Sequence, residues 1–573
     1  MFAPASTILS FFSGVGFCKL YEDVADLPNL DYDFVIIGGM SLSLTLKQGG
    51  SRRTSPVPVE WSLGHGHPLQ LEYISIQDAD YTTTPQTGAN GHVFDYLRGY
   101  LLGGCSSHNG MAYTRGAAED FDRYANLTGD EGWSWNQILP YFLKNEKWTA
   151  PADDHNTTGQ FNPAVHGTHG LISVSLSGFS WSEFEQRVIQ TTNELPDDFP
   201  FNLDMNSGQP LGIAKSGWLQ YTIGHGERSS SATGYLTPKI IQRPNLDVLL
   251  HAQVSKLVLF RRIHAAQTPI RHAGASLFVA KASKEIILSA GTIGTPQILL
   301  NSGIGDRTAL EALGILTLLD LPSVGKNASE HAYSGVSWAV NSNQTVESIT
   351  QNTTRFNEAF AEWNRSRTGP FVDPGPGTHA GWLRLDADSP VFNVHADLSP
   401  GPGAPHFEML FQPFGVGGIP GHFISLTMAM VSPSVVRGSV TLSSNNPFAA
   451  PVIDLGLLSS EFDALALTEG IKLALKFASA PAWNGYLGAP TTVIVDNKKF
   501  GIFLMYHIVG TAGMSPRGAQ YGVVDPDLKV KGIAGLRVID ASVLPIVPGV
   551  HTQAATYVVA ERGADMVKQK WTL

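Results

Sequence analysis

Two histidines stand where this chain could move a proton. His507 lies in Tyr506-His507-Ile508-Val509-Gly510-Thr511 and His551 in Val550-His551-Thr552-Gln553, 44 residues further on. A neutral imidazole accepts and returns a proton near neutral pH, which makes it the usual side chain for acid–base work. Each histidine adjoins a turn and a predicted element. Leu536–Ile539 reads as a short buried strand that runs into Asp540 and Ala541. After His551, the residues Ala554, Ala555, Val558, Val559 and Met566 fit one face of a helix, with Thr552 as its cap. A strand end, an acid, a histidine and a helix N-terminus brought together form one edge of a cofactor site.

Other stretches must hold that edge. Asp31–Gly39 reads as a buried strand entering a glycine turn at Gly38 and Gly39, the opening of a dinucleotide-binding unit. The spacing then departs from G-x-G-x-x-G, because positions 40 and 43 are Met40 and Ser43. Glu60 stands roughly where a ribose-binding acid belongs, but Pro56 and Pro58 favour a solvated loop acid. The small residues of 103–107 allow close backbone approach to a flat ring or a phosphate. Ile286–Gln297 reads as a strand, a tight turn at Ala290-Gly291 and a helix start. Helices are expected around Glu119–Phe121 and Trp135–Lys147, and strands at Leu246–Leu250, Val254–Leu259, Phe423–Val431 and Ser439–Leu442. Trp363, Trp382, Phe411, Phe414 and Phe423 are candidates to line a pocket.

Composition bounds the answer. With 573 residues, two lobes are the default expectation. A net charge of −11 disfavours nucleic acid and anionic membranes as partners, and no apolar run is long enough to span a bilayer. Only Cys18 and Cys105 occur, so no disulfide framework holds the fold, and Cys105 between small residues reads as a buried bystander. His155, His166 and His169 lack suitably spaced partners and read as solvent-facing loop residues, so no metal is expected. The apolar stretch Ile8 to Cys18 suggests a signal segment. N-x-S/T sequons at Asn126, Asn156, Asn327, Asn343, Asn352 and Asn364 agree with a secreted, extracellular glycoprotein. No Gly-x-Ser-x-Gly elbow occurs, which removes the serine-hydrolase reading.

Long ordered segments carry a resemblance: Arg98 through Arg115, Arg228–Pro238, Ser289–Gly305, His507–Thr511, Gly522–Pro526, Leu536–Pro545 and His551–Gln553. Together they resemble the glucose–methanol–choline family of flavoenzymes, nearest in wording to fungal pyranose dehydrogenases and aryl-alcohol oxidases. The fold class this implies is α/β, an FAD-binding Rossmann-like lobe with a second α+β substrate lobe built on an antiparallel sheet. The expected FAD-binding lobe is 30–165, 228–330 and 505–573. The substrate-binding lobe is 166–227 and 331–504, after a candidate signal segment 1–18.

The resemblance also implies the chemistry. FAD is the cofactor, and an alcohol loses its hydroxyl proton and a hydride to the flavin. His507 is implied as the base and His551 as the residue holding the substrate oxygen, with Tyr96 as an aromatic gate and Tyr506 in the pocket. Cofactor contacts are implied for Gly38, Gly39, Arg98, Gly103, Gly104, Ser107, His108, Asn109, Gly110, Val254, Ala290, Gly291, Asp540, Ala541, His551, Thr552 and Gln553. In some relatives the histidine matching His108 bonds covalently to the flavin. The expected partners are a small alcohol or sugar and a quinone or O₂ as acceptor, with the protein a monomer. The rival reading is a secreted relative retained for binding after its FAD site eroded. Its support is Met40 and the shortened segments 40–80 and 486–505.

Overall fold

Three apolar runs of the sequence become neighbouring parallel strands. The computed structural model describes residues 20–21, 23–28, 30–38, 81–214, 219–259, 264–269, 277–373, 379–415, 420–432, 436–492 and 501–572. Gly39, Met40, Ser43, Glu60 and the candidate signal segment lie outside them. The Leu277–Leu288 strand runs parallel to Asp31–Ile37 on one side, pairing Ile287 with Ile36, and to Leu536–Val538 on the other, pairing Ile287 with Arg537. Its first half pairs antiparallel with His264–Pro269, which continues to Lys256–Leu259. Ile286, Ile287 and Leu288 are fully buried. A strand covered on both faces reads as a continuous β-branched and apolar run, which is why these three were visible in the sequence.

Cofactor sites in such sheets lie beyond the carboxyl ends of the strands. Here those ends deliver Gly38, Ser289-Ala290-Gly291 and Asp540 to one rim. The Ser289 N–H donates to the Ile37 carbonyl (2.7 Å), the Ile539 N–H to the Leu288 carbonyl (2.8 Å), and Ser289 Oγ to the Ile539 carbonyl (3.0 Å). At Gly38 the backbone φ is +116°, and a Cβ there would stand 2.0 Å from the Ser289 carbonyl oxygen. Only glycine fits that turn.

The second sheet is antiparallel, in the order His379–Leu383, Phe407–Gln412, Phe423–Met430, Ala332–Val340, Leu487–Thr492, with Phe503–Leu504 pairing the start of Ala332–Val340. The helix Glu461–Ala478 packs on Phe423–Met430 and Ala332–Val340. Trp363, Trp382, Phe411, Phe414 and Phe423 are all buried, the first four within hydrophobic clusters. The indole N–H of Trp363 is spent on the Gly226 carbonyl (2.9 Å). They are core, because large aromatic area is worth most when removed from water. The last helix runs Thr552–Trp571, with His551 rather than Thr552 at the cap position.

His166 departs from the expectation of a solvent-facing loop residue: it is buried. Its Nδ1 meets Glu146 Oε1 (2.7 Å) and its Nε2 meets Asp204 Oδ2 (2.8 Å). Burial alone would push the imidazole pKa down, but hydrogen bonds to Asp204 and Glu146 outweigh it, and the value is raised. A raised folded pKa gives stability that is fully present below the unfolded value of about 6.5 and lost as pH rises through the folded value. The midpoint of thermal unfolding should therefore fall as pH rises above about 6.5. His166→Gln should flatten that limb in a melting series over pH. An unchanged slope above about 6.5 in the variant would remove His166 as its source.

Candidate active site

The start of the Ala332–Val340 strand and the Phe503–Leu504 strand pair with each other, Ala332 opposite Leu504. That register sets His331 beside His507, and the two Nδ1 atoms lie 3.0 Å apart. The opposite nitrogen of His507, Nε2, lies 3.2 Å from His551 Nδ1, with the rings nearly perpendicular at 83°. His551 is held from behind by its backbone N–H, which donates to Thr114 Oγ1 (3.1 Å). Its Nε2 lies 2.9 Å from Glu408 Oε1, at ion-pair distance but outside hydrogen-bond geometry. The structure thus brings the two predicted histidines into contact and adds His331 and Glu408, which the sequence did not single out.

Glu408 sits in Phe407–Gln412, where Phe407 and Met409 face one cluster while Leu410 faces another that contains Val550. Strand alternation puts Glu408 on the Leu410 side, toward His551. Glu408 is fully buried. A lone acid inside Phe-Glu-Met-Leu-Phe was the available signal, since a carboxylate is retained in an apolar strand only where something compensates it.

Glu330 organises the other flank. Its Oε1 accepts the backbone N–H groups of both His331 (2.8 Å) and His507 (2.7 Å), and its Oε2 accepts the Tyr96 hydroxyl. Arg98 donates to the Tyr96 hydroxyl (3.2 Å) and to the Tyr506 carbonyl. Tyr96 is fully buried and braces this carboxylate. Tyr506 is 36% exposed, with its φ at +59°, a left-handed conformation that a non-glycine residue keeps only when its surroundings enforce it. The Arg98 contact to its carbonyl supplies that enforcement.

Burial, then the nearby His551, His331 and Arg98 charges, hold the His507 pKa well below the usual imidazole value. Burial and His551 likewise bring His331 down to about 3. Both rings are therefore neutral at working pH. Cys105 is half-buried beside Arg98. Burial opposes ionisation, but the Arg98 guanidinium and His108 overcome it and lower the thiol to about 6. Arg98 Nη1 lies 3.6 Å from its Sγ, and the Gly99 N–H 3.4 Å.

On the cofactor side, Gly103, Gly104, Ser107, His108, Asn109 and Gly110 form one turn. Ser107 Oγ donates to the Leu102 carbonyl (2.9 Å), and the His108 N–H to the Cys105 carbonyl (3.2 Å). Asn109 Nδ2 donates to Gln553 Oε1, joining this turn to the last helix beside Thr552. Asp540 is fully committed to protein. Its Oδ2 accepts from the Gly291 N–H (2.9 Å) and Thr295 Oγ1 (2.6 Å), and its Oδ1 from the Ser542 N–H (2.8 Å) and hydroxyl (2.5 Å). It therefore aims the Gly291–Asn301 helix start, with Ala290 and Ala541 beside it. Val254 is half-buried near this lobe's sheet.

Two observations test whether a dinucleotide fits. A Cβ on Gly291, at φ +78°, would meet nothing within 4 Å, so the helix start faces open space. Arg228, which sequence reasoning passed over as a site residue, is a half-buried cation whose acceptors are Asn109 Oδ1 (2.9 Å) and the Ser106 carbonyl (3.4 Å). Its Nε is buried without an acceptor, burial lowers its pKa to about 10, and among the described residues no carboxylate pairs with it. A half-buried guanidinium lacking a protein counter-charge suits an anionic group. The residues present fit FAD.

Comparison with known proteins agrees with this geometry. Family models described as GMC oxidoreductase match residues 32–333 and 434–560. Dehydrogenase eriK of Hericium erinaceus is 38% identical over 586 residues, covering 96% of each chain. A pyranose dehydrogenase of Agaricus campestris is 37% identical over 595 residues, again covering 96% of each. Among solved structures, an FAD-dependent oxidoreductase from Chaetomium thermophilum superposes with a TM-score of 0.80 at 25% identity, covering 95% of this chain and 100% of that one. A fungal aryl-alcohol oxidase gives 0.79 at 24%, with the same coverage, and shows the same fold. The chain belongs to the GMC oxidoreductase family.

Proposed function

We propose that this oxidoreductase removes two electrons and two protons' worth of hydrogen from a primary or secondary alcohol, a sugar in the first instance. The observation that carries the proposal is the perpendicular His507–His551 contact with Glu408 at 2.9 Å from His551 Nε2. FAD is the cofactor. When bound, it accepts the hydride from the carbon that bears the hydroxyl. The protein's own part is to take the hydroxyl proton and fix the oxygen, and the imidazole pair has the chemistry for both. The neutral state of His507 keeps a ring available that a cation would not offer. The Gly291–Asn301 helix start and the half-buried Arg228 would hold the anionic part of the cofactor. The turn at Gly103–Gly110 and Gln553 would lie against its ring.

The sugar reading is favoured over an aryl alcohol by the relatives named pyranose dehydrogenase, of which the Agaricus campestris protein is 37% identical. A quinone or O₂ is the electron acceptor, and the protein works as a secreted monomer with the lobe boundaries read from the sequence. No helix among the described residues is long and apolar enough to cross a membrane. Of the six sequons, Asn327 is the poorest glycan site, because its Nδ2 already donates to the Pro545 carbonyl (2.8 Å).

His108 is the proposed point of covalent flavin attachment. The purified protein should be yellow, and the colour should stay with the protein after acid precipitation. His108→Ala should release it to the supernatant. Glucose and veratryl-type alcohols assayed with benzoquinone, then with O₂ alone, assign substrate and acceptor. Colourless, folded protein inactive on every alcohol would overturn the proposal in favour of a binding role.

A further inference from the structure

The strands Phe407–Gln412 and Phe423–Met430 have two unlike faces. On one, Phe407, Met409, Phe411, Ile424, Leu426 and Met428 are buried in an apolar cluster. The other face carries Glu408, Leu410 and Gln412 by alternation. Thr427 stands opposite Leu410 there, and Trp382, on the next strand, stands opposite Glu408. Four of these side chains hold buried polar atoms with no hydrogen-bond partner among the described residues. They are Trp382 Nε1, both oxygens of Glu408, Gln412 Oε1 and Thr427 Oγ1. Trp382 and Thr427 are each 1% exposed, so bulk water does not serve them. Ser425, opposite Gln412 on the same face, shows what a structural polar residue does in this place: its hydroxyl donates to the Phe414 carbonyl (2.7 Å).

A buried polar atom left unpaired costs its full desolvation, so a row of them confined to one face calls for partners from outside the chain. The row lies beside the histidine pair. Glu408 Oε1 is 2.9 Å from His551 Nε2, and Trp382 and Leu410 share a cluster with Val550, the residue before His551. Residues directly opposite on one sheet face stand about 5 Å apart, which sets Trp382 and Thr427 on either side of the Glu408–Leu410 edge. The chemistry of the row is mixed. An indole N–H can only donate, amide and carboxylate oxygens can only accept, and a threonine hydroxyl does both. A ligand that satisfies them must bring donors and acceptors at several positions. A ring bearing a hydroxyl on each of several carbons does so, whereas an aryl alcohol brings one hydroxyl and a ring without donors.

We propose that Trp382 and Thr427 are specificity-determining residues that hold the non-reacting hydroxyls of a pyranose while the reacting hydroxyl lies at the histidine pair. This rests on the alcohol-oxidation reading and assigns its substrate class to named side chains. The Trp382 ring is part of the core, and its N–H is the part that reads the substrate. A site built to pair with substrate hydroxyls discriminates strongly against an analogue that lacks them, because its own polar atoms are then left bare.

The test uses the full-length, flavin-containing protein. Trp382→Phe removes the N–H and keeps an aromatic ring, Thr427→Val removes the hydroxyl at similar volume, and Thr427→Ser keeps it. With benzoquinone as acceptor, the Phe and Val variants should each lower kcat/KM for glucose by about tenfold, mainly through KM, the effect of one lost hydrogen bond. The Ser variant should recover most of that loss. One monodeoxyglucose should be about tenfold poorer than glucose for the wild type and equal to glucose for Thr427→Val, since the partner it lacks is already gone. Without sugar, Thr427→Val should melt no lower than the wild type, because the hydroxyl removed has no partner. A lower midpoint, a Ser variant as poor as Val, or deoxy-sugar losses identical in wild type and both variants would each overturn the proposal. Wild-type protein that turns over no alcohol would remove the oxidation reading. Calorimetric binding of glucose would still decide the subsite, tenfold weaker binding by Thr427→Val supporting it and equal or absent binding overturning it.

Discussion

Alanine at His551 should slow alcohol-driven flavin reduction by about 10²–10⁴-fold, the usual contribution of a positioned acid or base. Alanine at His507 should do the same, and the double variant should be little slower than either single one. The two rings act as a unit, since each is the other's hydrogen-bond partner at 3.2 Å, and residues that act as a unit are strongly non-additive. The loss should fall on kcat measured in a single turnover at saturating alcohol, because substrate contacts away from the pair are untouched. The depressed pKa of His507 adds a sign to the pH dependence. Its neutral form persists on the acid side of about 6.5, so activity should not fall with its protonation until well below that value. A variant lacking either imidazole yet reducing flavin near the wild-type rate would remove the pair from the mechanism.

What could be read in the sequence was what local pattern controls. The runs at Asp31–Ile37, Ile286–Leu288 and Leu536–Val538 appear as strands; Ile286–Leu288 is apolar because it is buried on both faces, whereas Asp31–Ile37 is exposed at its start and buried at Ile37. The helix after His551 was legible from its periodicity, with its first residue displaced by one, an ordinary boundary error. The two histidines were legible because each stands beside a turn and an element end. Their partners were not. His331 is 176 residues from His507, and their meeting depends on the register of Ala332 opposite Leu504, which no local pattern encodes.

The misplacements share one cause. Polar and aromatic residues were assigned to surface or pocket by type, whereas burial follows what each can pair with. Trp363 could enter the core because the Gly226 carbonyl takes its N–H. His166 could be buried because two carboxylates meet it. In each case the compensating group lies distant in sequence, so the residue alone gave no sign of it.

The same dependence on a distant partner gives the largest expected loss of stability, at Glu285→Ala. Glu285 stands on the central Leu277–Leu288 strand, and Arg537 on the neighbouring Leu536–Val538 strand. Their side chains are each 1% exposed, with Arg537 Nε and Nη2 both donating to the carboxylate. Lys570 Nζ (2.6 Å) and Trp571 Nε1 (3.0 Å) donate to the same Oε1, tying the end of the last helix to the sheet. Alanine would leave a buried guanidinium uncompensated, which costs about 3–5 kcal/mol. Arg307 and Glu311, each more than half exposed, should give at most about 0.5 kcal/mol when broken. The loss at Glu285 should also reach the site, because the 536–538 strand carries Asp540, whose carboxylate aims the Gly291 helix start. Flavin retention after dialysis should therefore fall together with the denaturation midpoint. Replacing both partners, Glu285→Leu with Arg537→Met, should restore most of the stability, since apolar side chains of similar size leave no charge unpaired. If the double variant were as unstable as Glu285→Ala, the cost would come from lost packing or backbone register rather than from an orphaned charge.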